Sequence, residues 1–238
     1  MKNKCVAVIP ARGGSKRIYK KNIKDFLGIP IICRVIEKIA SFDMFDKIIV
    51  STDDQEICEV VARYSDIIVV TRPEELSDDY TTTVAVVSHA IENINDLGVF
   101  PEYVCCIYPC SVFLQKQDLQ DGMELLKNKS IDFTYPIAEY PHPIQRAVMI
   151  DKNRLVKMNE PEYELIRTQD LRKMFHDVGQ FYWGYTKSWL TNKKMHSSAA
   201  GVVVPSWRYV DIDTEDDWIR AELIFQSLLA NKQITNIF

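Results

Sequence analysis

Nowhere in the 238 residues does an apolar stretch approach the ~20 needed to cross a bilayer as a helix, which argues against a membrane-spanning chain. The leading Met1-Lys-Asn-Lys4 runs straight into a strand-like segment without the apolar core of a signal peptide, so a cytoplasmic location is expected. A basic surplus is also missing. Lys and Arg number 29 against 33 Asp and Glu, and the net charge of −4 argues against a general nucleic-acid binder. The six cysteines (Cys5, Cys33, Cys58, Cys105, Cys106 and Cys110) show no C-x-x-C spacing and lie mostly inside apolar runs, as reduced thiols near a core would. Cys110, in a loop, is the one candidate for reactivity. Neither G-x-x-x-x-G-K-[ST] nor G-x-G-x-x-G occurs, which excludes a Walker A loop and a dinucleotide fingerprint.

What is present begins with an apolar run from Cys5 to Ile9, a buried strand that Pro10 ends because proline has no N–H for a ladder. Directly after it, Gly13 and Gly14 permit close backbone approach to a ligand. Arg12, Lys16, Arg17, Lys20 and Lys21 add five cations within ten residues. Composition alone fits either a solvated basic loop or an anion site. Its place after the first strand favours the anion site, since open α/β sheets bind ligands at the carboxyl ends of their strands.

The stripe Ile31, Ile32, Val35, Ile36 and Ile39 predicts a helix, with Pro30 suited to its first turn. Lys47 to Val50 predicts a strand. Ser51-Thr-Asp-Asp54 then caps a helix with Ile57, Val60 and Val61 inside, and Ile67 to Val70 is another strand. The Ser, Asp and Thr residues from Ser77 to Thr83 precede a helix through Val84, Val87, Ala90, Ile91 and Ile94, where capping and ligand roles are compatible. Tyr103 to Tyr108 reads as a central strand, followed by a helix through Leu119, Met123 and Leu126 and a strand from Phe133 to Ala138. The fold class expected is α/β, an open, doubly wound, mainly parallel sheet in one domain over residues 1–238. Residues 139–194 break the alternation as an insertion. There, Ala147 to Ile150 and Leu155 to Met158 flank the turn-forming Asp151-Lys-Asn-Arg154 and predict a hairpin. Phe181, Tyr182 and Trp183 read as core by their aromatic bulk, and as neighbours of a site by the adjacent His176, Asp177 and Gln180.

Ile9-Pro-Ala-Arg-Gly-Gly-Ser-Lys-Arg17, followed by Lys21-Asn-Ile23, resembles the opening signature of the CMP-nonulosonic acid synthetases, or acylneuraminate cytidylyltransferases. These activate nine-carbon 2-keto acid sugars, and the resemblance extends from Cys5 to about Leu229. It implies a Rossmann-like nucleotidyltransferase fold, CTP and a nonulosonic acid as substrates, Mg²⁺ as cofactor, and a homodimer formed through the inserted hairpin. Ala11, Arg12, Gly13, Gly14, Ser15, Lys16, Lys21 and Asn22 would form the nucleotide loop. Arg72 in Arg72-Pro-Glu-Glu-Leu76 would help hold the nucleotide, with Asp79 and Thr83 near base and ribose. Related sequences show Pro-Thr-Ser-Pro-Leu-Arg where this chain has Pro109-Cys-Ser-Val-Phe-Leu114, so Val112 and Leu114 depart and only Ser111 is carried over. The wording of Ala138 to Ala147, Arg167 to Leu171 and His176 to Gly184 resembles the branch acting on pseudaminic acid, with Gln145, Arg146, Gln180, Phe181 and Tyr182 as sugar contacts. The alternatives are the same chemistry on N-acetylneuraminic or legionaminic acid, and a nucleotide-binding regulator without turnover.

Asp211 and Asp213 lie in Tyr209-Val-Asp-Ile-Asp-Thr-Glu-Asp-Asp-Trp218, and alternation in an extended segment sends both carboxylates to one side. Two hard oxygen ligands suit Mg²⁺. The same spacing fits a helix start, with Asp213 as N-cap or a Thr214/Asp217 capping box. The Asp-x-Asp of the resembled family favours the metal reading. The reaction implied is attack of the sugar's anomeric hydroxyl on the α-phosphorus of CTP, with Arg12, Lys21, Asp211 and Asp213 catalytic.

Overall fold

The computed structural model describes residues 5–127 and 130–230, so Met1-Lys-Asn-Lys4 and the tail ending at Phe238 lie outside the described residues. Strand β1 (Cys5–Pro10) opens the chain, and a hairpin of β2 (Asp25–Phe26) and β3 (Ile29–Pro30) leads into α1 (Ile31–Ser41). Then follow β4 (Lys47–Thr52), α2 (Gln55–Val61), β5 (Ile67–Thr71), α3 (Thr83–Asp96), β6 (Tyr103–Ile107) and α4 (Lys116–Leu126). After β7 (Phe133–Glu139) come the hairpin β8 (Val148–Ile150) and β9 (Val156–Met158), then β10 (Phe175–Asp177) and β11 (Phe181–Tyr185). Helix α5 (Thr186–Leu190), β12 (Ala199–Val203) and α6 (Glu215–Ala230) complete the described chain.

Eight strands form the main sheet, with β1 between β4 and β6 in parallel and β5 parallel to β4. Beyond β6 the sheet turns mixed: β11 is antiparallel to β6 and β7, while β12 runs parallel to β7. The two-residue period of β1 divides the core. Ala7 and Ile9 join α1, α2, α4 and α6 on one face, whereas Val6 and Val8 join α3 and α5 on the other. Helices on both faces of a mainly parallel sheet are the doubly wound architecture that the alternation of periods predicts.

Three local differences have plain causes. Pro30 stands just before α1 rather than in its first turn, because it also closes the β2–β3 hairpin opposite Asp25. Helix α5 and strand β12 carry no sequence expectation. The latter opens Ala199-Ala-Gly, a poor strand former on its own, and gains its conformation from five paired positions on β7. The third concerns β10 and β11, which pair with the same side of β7 but with a register that jumps across Val178-Gly179-Gln180. Gly179 takes φ +62° at this break, a conformation that suits glycine. The break swings the Gln180 carbonyl to the end of β6, where it accepts from Tyr108 N at 3.0 Å.

Candidate active site

At the carboxyl ends of β1, β5 and β6 lies a cleft of about 460 Å³. The loop after β1 forms one wall, and its shape is set by short polar ties. Ala11 N reaches Ser51 O at 2.9 Å, and Gly13 N donates to Asp53 Oδ1 at 3.0 Å. Gly13 passes so close to α2 that a Cβ there would stand 2.2 Å from Asp54 Oδ2, the side chain that caps α2 through Glu56 N and Ile57 N. Asn22 is buried and donates to Arg12 O at 2.9 Å, so its amide shapes the loop from behind. Ser15 continues the wall, with its N on Gly13 O at 2.8 Å, whereas Ala11, Gly13 and Gly14 stand behind it and do not line the cleft.

Each cation of this loop faces a carboxylate. Arg12 pairs with Asp79 at 2.8 Å and also donates to Asp78 O at 2.8 Å, while Lys16 contacts the other oxygen of Asp79. The Lys16 ammonium and Arg12 guanidinium hold the Asp79 carboxyl below its ordinary range. Arg17 pairs with Asp213 at 2.8 Å, and Lys20 contacts Glu56. Lys21 joins the basic loop to the acidic motif, donating to Ile212 O at 2.7 Å and approaching Asp213 at 3.5 Å.

The acidic motif resolves the two sequence readings separately. Thr214 and Asp217 exchange the reciprocal bonds of a capping box, with Thr214 N on Asp217 Oδ2 at 2.8 Å and Asp217 N on Thr214 Oγ1 at 3.2 Å. Helix α6 is therefore capped without the Asp213 side chain, which turns to Arg17 and Lys21 instead. Among the described residues no donor bonds the Asp211 carboxylate. Asp211 is wet on its cleft side, but protein packed behind it and the neighbouring charge of Asp213 push its carboxyl above the usual range. An unpartnered carboxylate beside a second one, at the mouth of a cationic loop, has the donor set Mg²⁺ takes: one or two carboxylates, with water and phosphate completing the shell. No cluster of three or more metal-ligating side chains occurs among the described residues. Burial pushes the Cys110 thiol in this wall up to about 11, which leaves it a poor nucleophile rather than the reactive thiol its loop position suggested.

The remaining candidates divide. Arg72 lines the cleft but is buried, bound to Ser51 O at 2.8 Å, and tied through its own N–H to Thr52 O, so it fastens the ends of β4 and β5. Thr83 and Tyr108 share a hydroxyl bond of 2.8 Å, and Ser111 Oγ donates to Gln180 O at 2.8 Å. Gln180 lines the cleft; Gln145, Arg146, Phe181 and Tyr182 do not. Phe181 and Tyr182 are covered by the helices on opposite faces of β11, the Tyr182 hydroxyl going to Asp177 at 2.8 Å. Gln145 reaches Arg172 O at 3.1 Å and Arg146 reaches Ile166 O at 2.6 Å, both away from the cleft. Asp78, Tyr108 and Gly179 also line the cleft. Each had a signal at the level of its segment: Asp78 in the Ser77 to Thr83 string, Gly179 in the His176 to Gly184 run, and Tyr108 as the last residue of a predicted central strand.

Residues 6–185 match the family model described as cytidylyltransferase. The chain belongs to the cytidylyltransferase family. Within it, this cytidylyltransferase is 40% identical over 229 residues to a pseudaminic acid cytidylyltransferase of Campylobacter jejuni, covering 95% of this chain and 97% of that one. A CMP-N,N'-diacetyllegionaminic acid synthase of Legionella pneumophila is 26% identical over 225 residues, 93% of this chain and 96% of that one. A solved CMP:2-keto-3-deoxy-manno-octonic acid synthetase in complex with CTP superposes with a TM-score of 0.68 at 14% identity, covering 94% and 99% of the two chains, which bears on the fold.

Proposed function

We propose that this cytidylyltransferase transfers CMP from CTP to the anomeric hydroxyl of pseudaminic acid and releases pyrophosphate. The observation that carries the reading is the meeting of the cationic loop and the Asp211/Asp213 motif in one cleft, joined by Lys21. The choice of sugar is supported by the 40% identity to the Campylobacter jejuni relative along nearly the full length of both chains.

In this reading the backbone of Ala11 to Ser15 comes close to the triphosphate, and Arg12, Lys21 and Lys16 exchange their present carboxylate partners for phosphate oxygens. Asn22 holds the loop for them. Arg72, Asp79, Thr83 and Ser111 surround the rest of the nucleotide, Arg72 by fixing the strand ends. Mg²⁺ would be held by Asp211 and Asp213, where it offsets phosphate charge and lowers the pKa of the attacking hydroxyl. The protein's own share is in-line positioning and charge neutralisation, which supply most of the rate in phosphoryl-type transfer. Gln180 faces the sugar. Phe181 and Tyr182 brace it from the core, and Gln145 and Arg146 stiffen the insertion beside it. The insertion also carries exposed Val148, Met149, Ile150, Leu155, Val156 and Leu165, an apolar surface that a second copy of the chain would cover in a homodimer. None of the six cysteines is in a disulfide, as suits a reducing, cytoplasmic compartment.

The test is pyrophosphate release from CTP and Mg²⁺ with pseudaminic, N,N'-diacetyllegionaminic or N-acetylneuraminic acid supplied separately. Preference for pseudaminic acid supports the whole reading. Preference for another sugar keeps the chemistry and overturns the substrate, and CTP binding without release from any of them favours the regulator. Sedimentation at micromolar concentration tests the dimer.

A further inference from the structure

The segment that delivers Asp211 and Asp213 to the cleft is held almost without backbone pairing. Among the described residues, no backbone N–H from Tyr209 to Ile212 bonds to a backbone carbonyl. Side chains fix it instead. At its far end stand Asp217 and the Lys21 bond to Ile212 O. At its near end Arg208 forks onto Asp118 in the first turn of α4, with Nη1 to Oδ2 at 2.5 Å and Nη2 to Oδ1 at 2.8 Å. The two side chains are 12% and 7% exposed, so the pair is nearly dry. The Arg208 carbonyl accepts from Gln180 Nε2 at 3.3 Å, which ties the same point to the β10–β11 break. Lys38, buried on α1, donates its amine to Val112 O at 2.8 Å and brings a second cation toward the pair.

Stability accounts for only part of this arrangement, since Asp118 Oδ2 also accepts from Gln115 N at 3.3 Å in the capping box of α4. Withdrawing charges from water costs several kcal/mol per ion, and a well-packed apolar pair of the same volume is often as stable or more so. What a forked Arg–carboxylate pair supplies is geometry, because two parallel bonds fix both distance and orientation. Three residues beyond the fork lies Asp211. We propose that Arg208 is a positioning residue: its fork onto Asp118 sets where Asp211 and Asp213 stand opposite Lys21, with Gln180 bracing the same turn. This rests on the catalytic reading of the acidic motif given above.

The test replaces the pair with apolar side chains, Arg208→Met together with Asp118→Leu, and compares Arg208→Lys, which keeps the charge and loses the fork. The double variant keeps its Tm within about 5 °C of wild type, loss of the Asp118 cap on α4 accounting for about 2–4 °C of any fall. Its kcat falls about a hundredfold, while KM for CTP stays within about threefold. Amide exchange at Asp213 and Thr214, whose N–H groups are held by Asp217 Oδ2, quickens by about tenfold or more when measured without nucleotide or metal. Arg208→Lys shows the same loss of kcat and the same faster exchange, whether or not the double variant folds. Wild-type kcat and wild-type exchange in either variant overturn the proposal and leave the pair as packing. Asp211→Asn runs alongside: if it stays active, the reading of the motif fails and the proposal with it, whereas an inactive Asp211→Asn beside a fully active Arg208→Lys defeats the positioning role alone.

Discussion

Gly13→Ala tests how closely the cationic loop must approach α2. The added Cβ would meet Asp54 Oδ2 at 2.2 Å, Asp54 Cγ at 2.9 Å and Asp54 Cβ at 2.8 Å. Rotating the carboxylate away relieves the first contact at the expense of the cap, whose bonds to Glu56 N and Ile57 N measure 2.7 and 3.2 Å. Losing such a cap costs about 1 kcal/mol, or about 2–4 °C in Tm for a chain of this size. The contact with Asp54 Cβ survives any rotation, so the loop backbone must also move by a good fraction of an ångström. That displaces Arg12 and Asn22, and misplacement on the scale of ~1 Å costs about a hundredfold in rate. The expected result is a Tm a few degrees lower with kcat/KM for CTP reduced roughly ten- to a hundredfold. Gly14→Ala is the control, since a Cβ there meets nothing within 4 Å. Thermal melts and pyrophosphate-release kinetics read both variants. If Gly13→Ala matches wild type in both, or if Gly14→Ala is equally damaged, the close-approach argument is wrong.

Lys21→Ala loses about a hundredfold or more in kcat, with a Tm drop of about 1 kcal/mol equivalent for the bond to Ile212 O; a variant that melts early and turns over normally contradicts the catalytic role. Asp211→Asn loses its response to Mg²⁺ without a change in Tm, because α6 is capped by Thr214 and Asp217; lower Tm with an unchanged metal titration would return the motif to capping. The Asp211 carboxyl, raised by burial and by Asp213, must ionise to hold a cation, so activity is present above its pKa and fails as pH falls through it, earlier than an ordinary Asp near ~3.9 would allow. Burial, then the Arg208 charge, lowers the Lys38 amine to about 8 from 10.5. Folded and unfolded chains both hold that proton below pH 8, and the folded chain loses it first on raising the pH. Wild type therefore gains stability relative to Lys38→Met between pH 8 and 10.5, and parallel curves in chemical denaturation would refute the buried amine.

The parts of the molecule that the sequence reveals are those built from local pattern. A strand ended by proline, helix stripes, the hairpin around Asp151 to Arg154 and two charged motifs all follow from spacing within a dozen residues. What it conceals depends on pairing across the chain. Strand β12 exists because β7 offers it a partner, and the jump between β10 and β11 becomes visible only against β7. Arg208 and Asp118 lie 90 residues apart, and no periodicity announces that they meet. Phe181 and Tyr182 show the converse, residues next to a cleft in sequence but turned into the core by the two-residue period of their strand.

The pairing of every loop cation has a kinetic consequence. A cleft whose arginines and lysines already face Asp79, Asp213 and Glu56 presents little net field to an approaching tetra-anion. If the nucleotide docks on this loop as proposed, its entry is an exchange of anions rather than the filling of an attractive void, each phosphate oxygen displacing a carboxylate. Added salt weakens the internal pairs and the incoming contacts together, so the association rate depends on ionic strength less steeply than the count of cations would suggest. The resting molecule thus holds its own substitute for the substrate's charge, and the order of events in binding begins with the departure of that substitute.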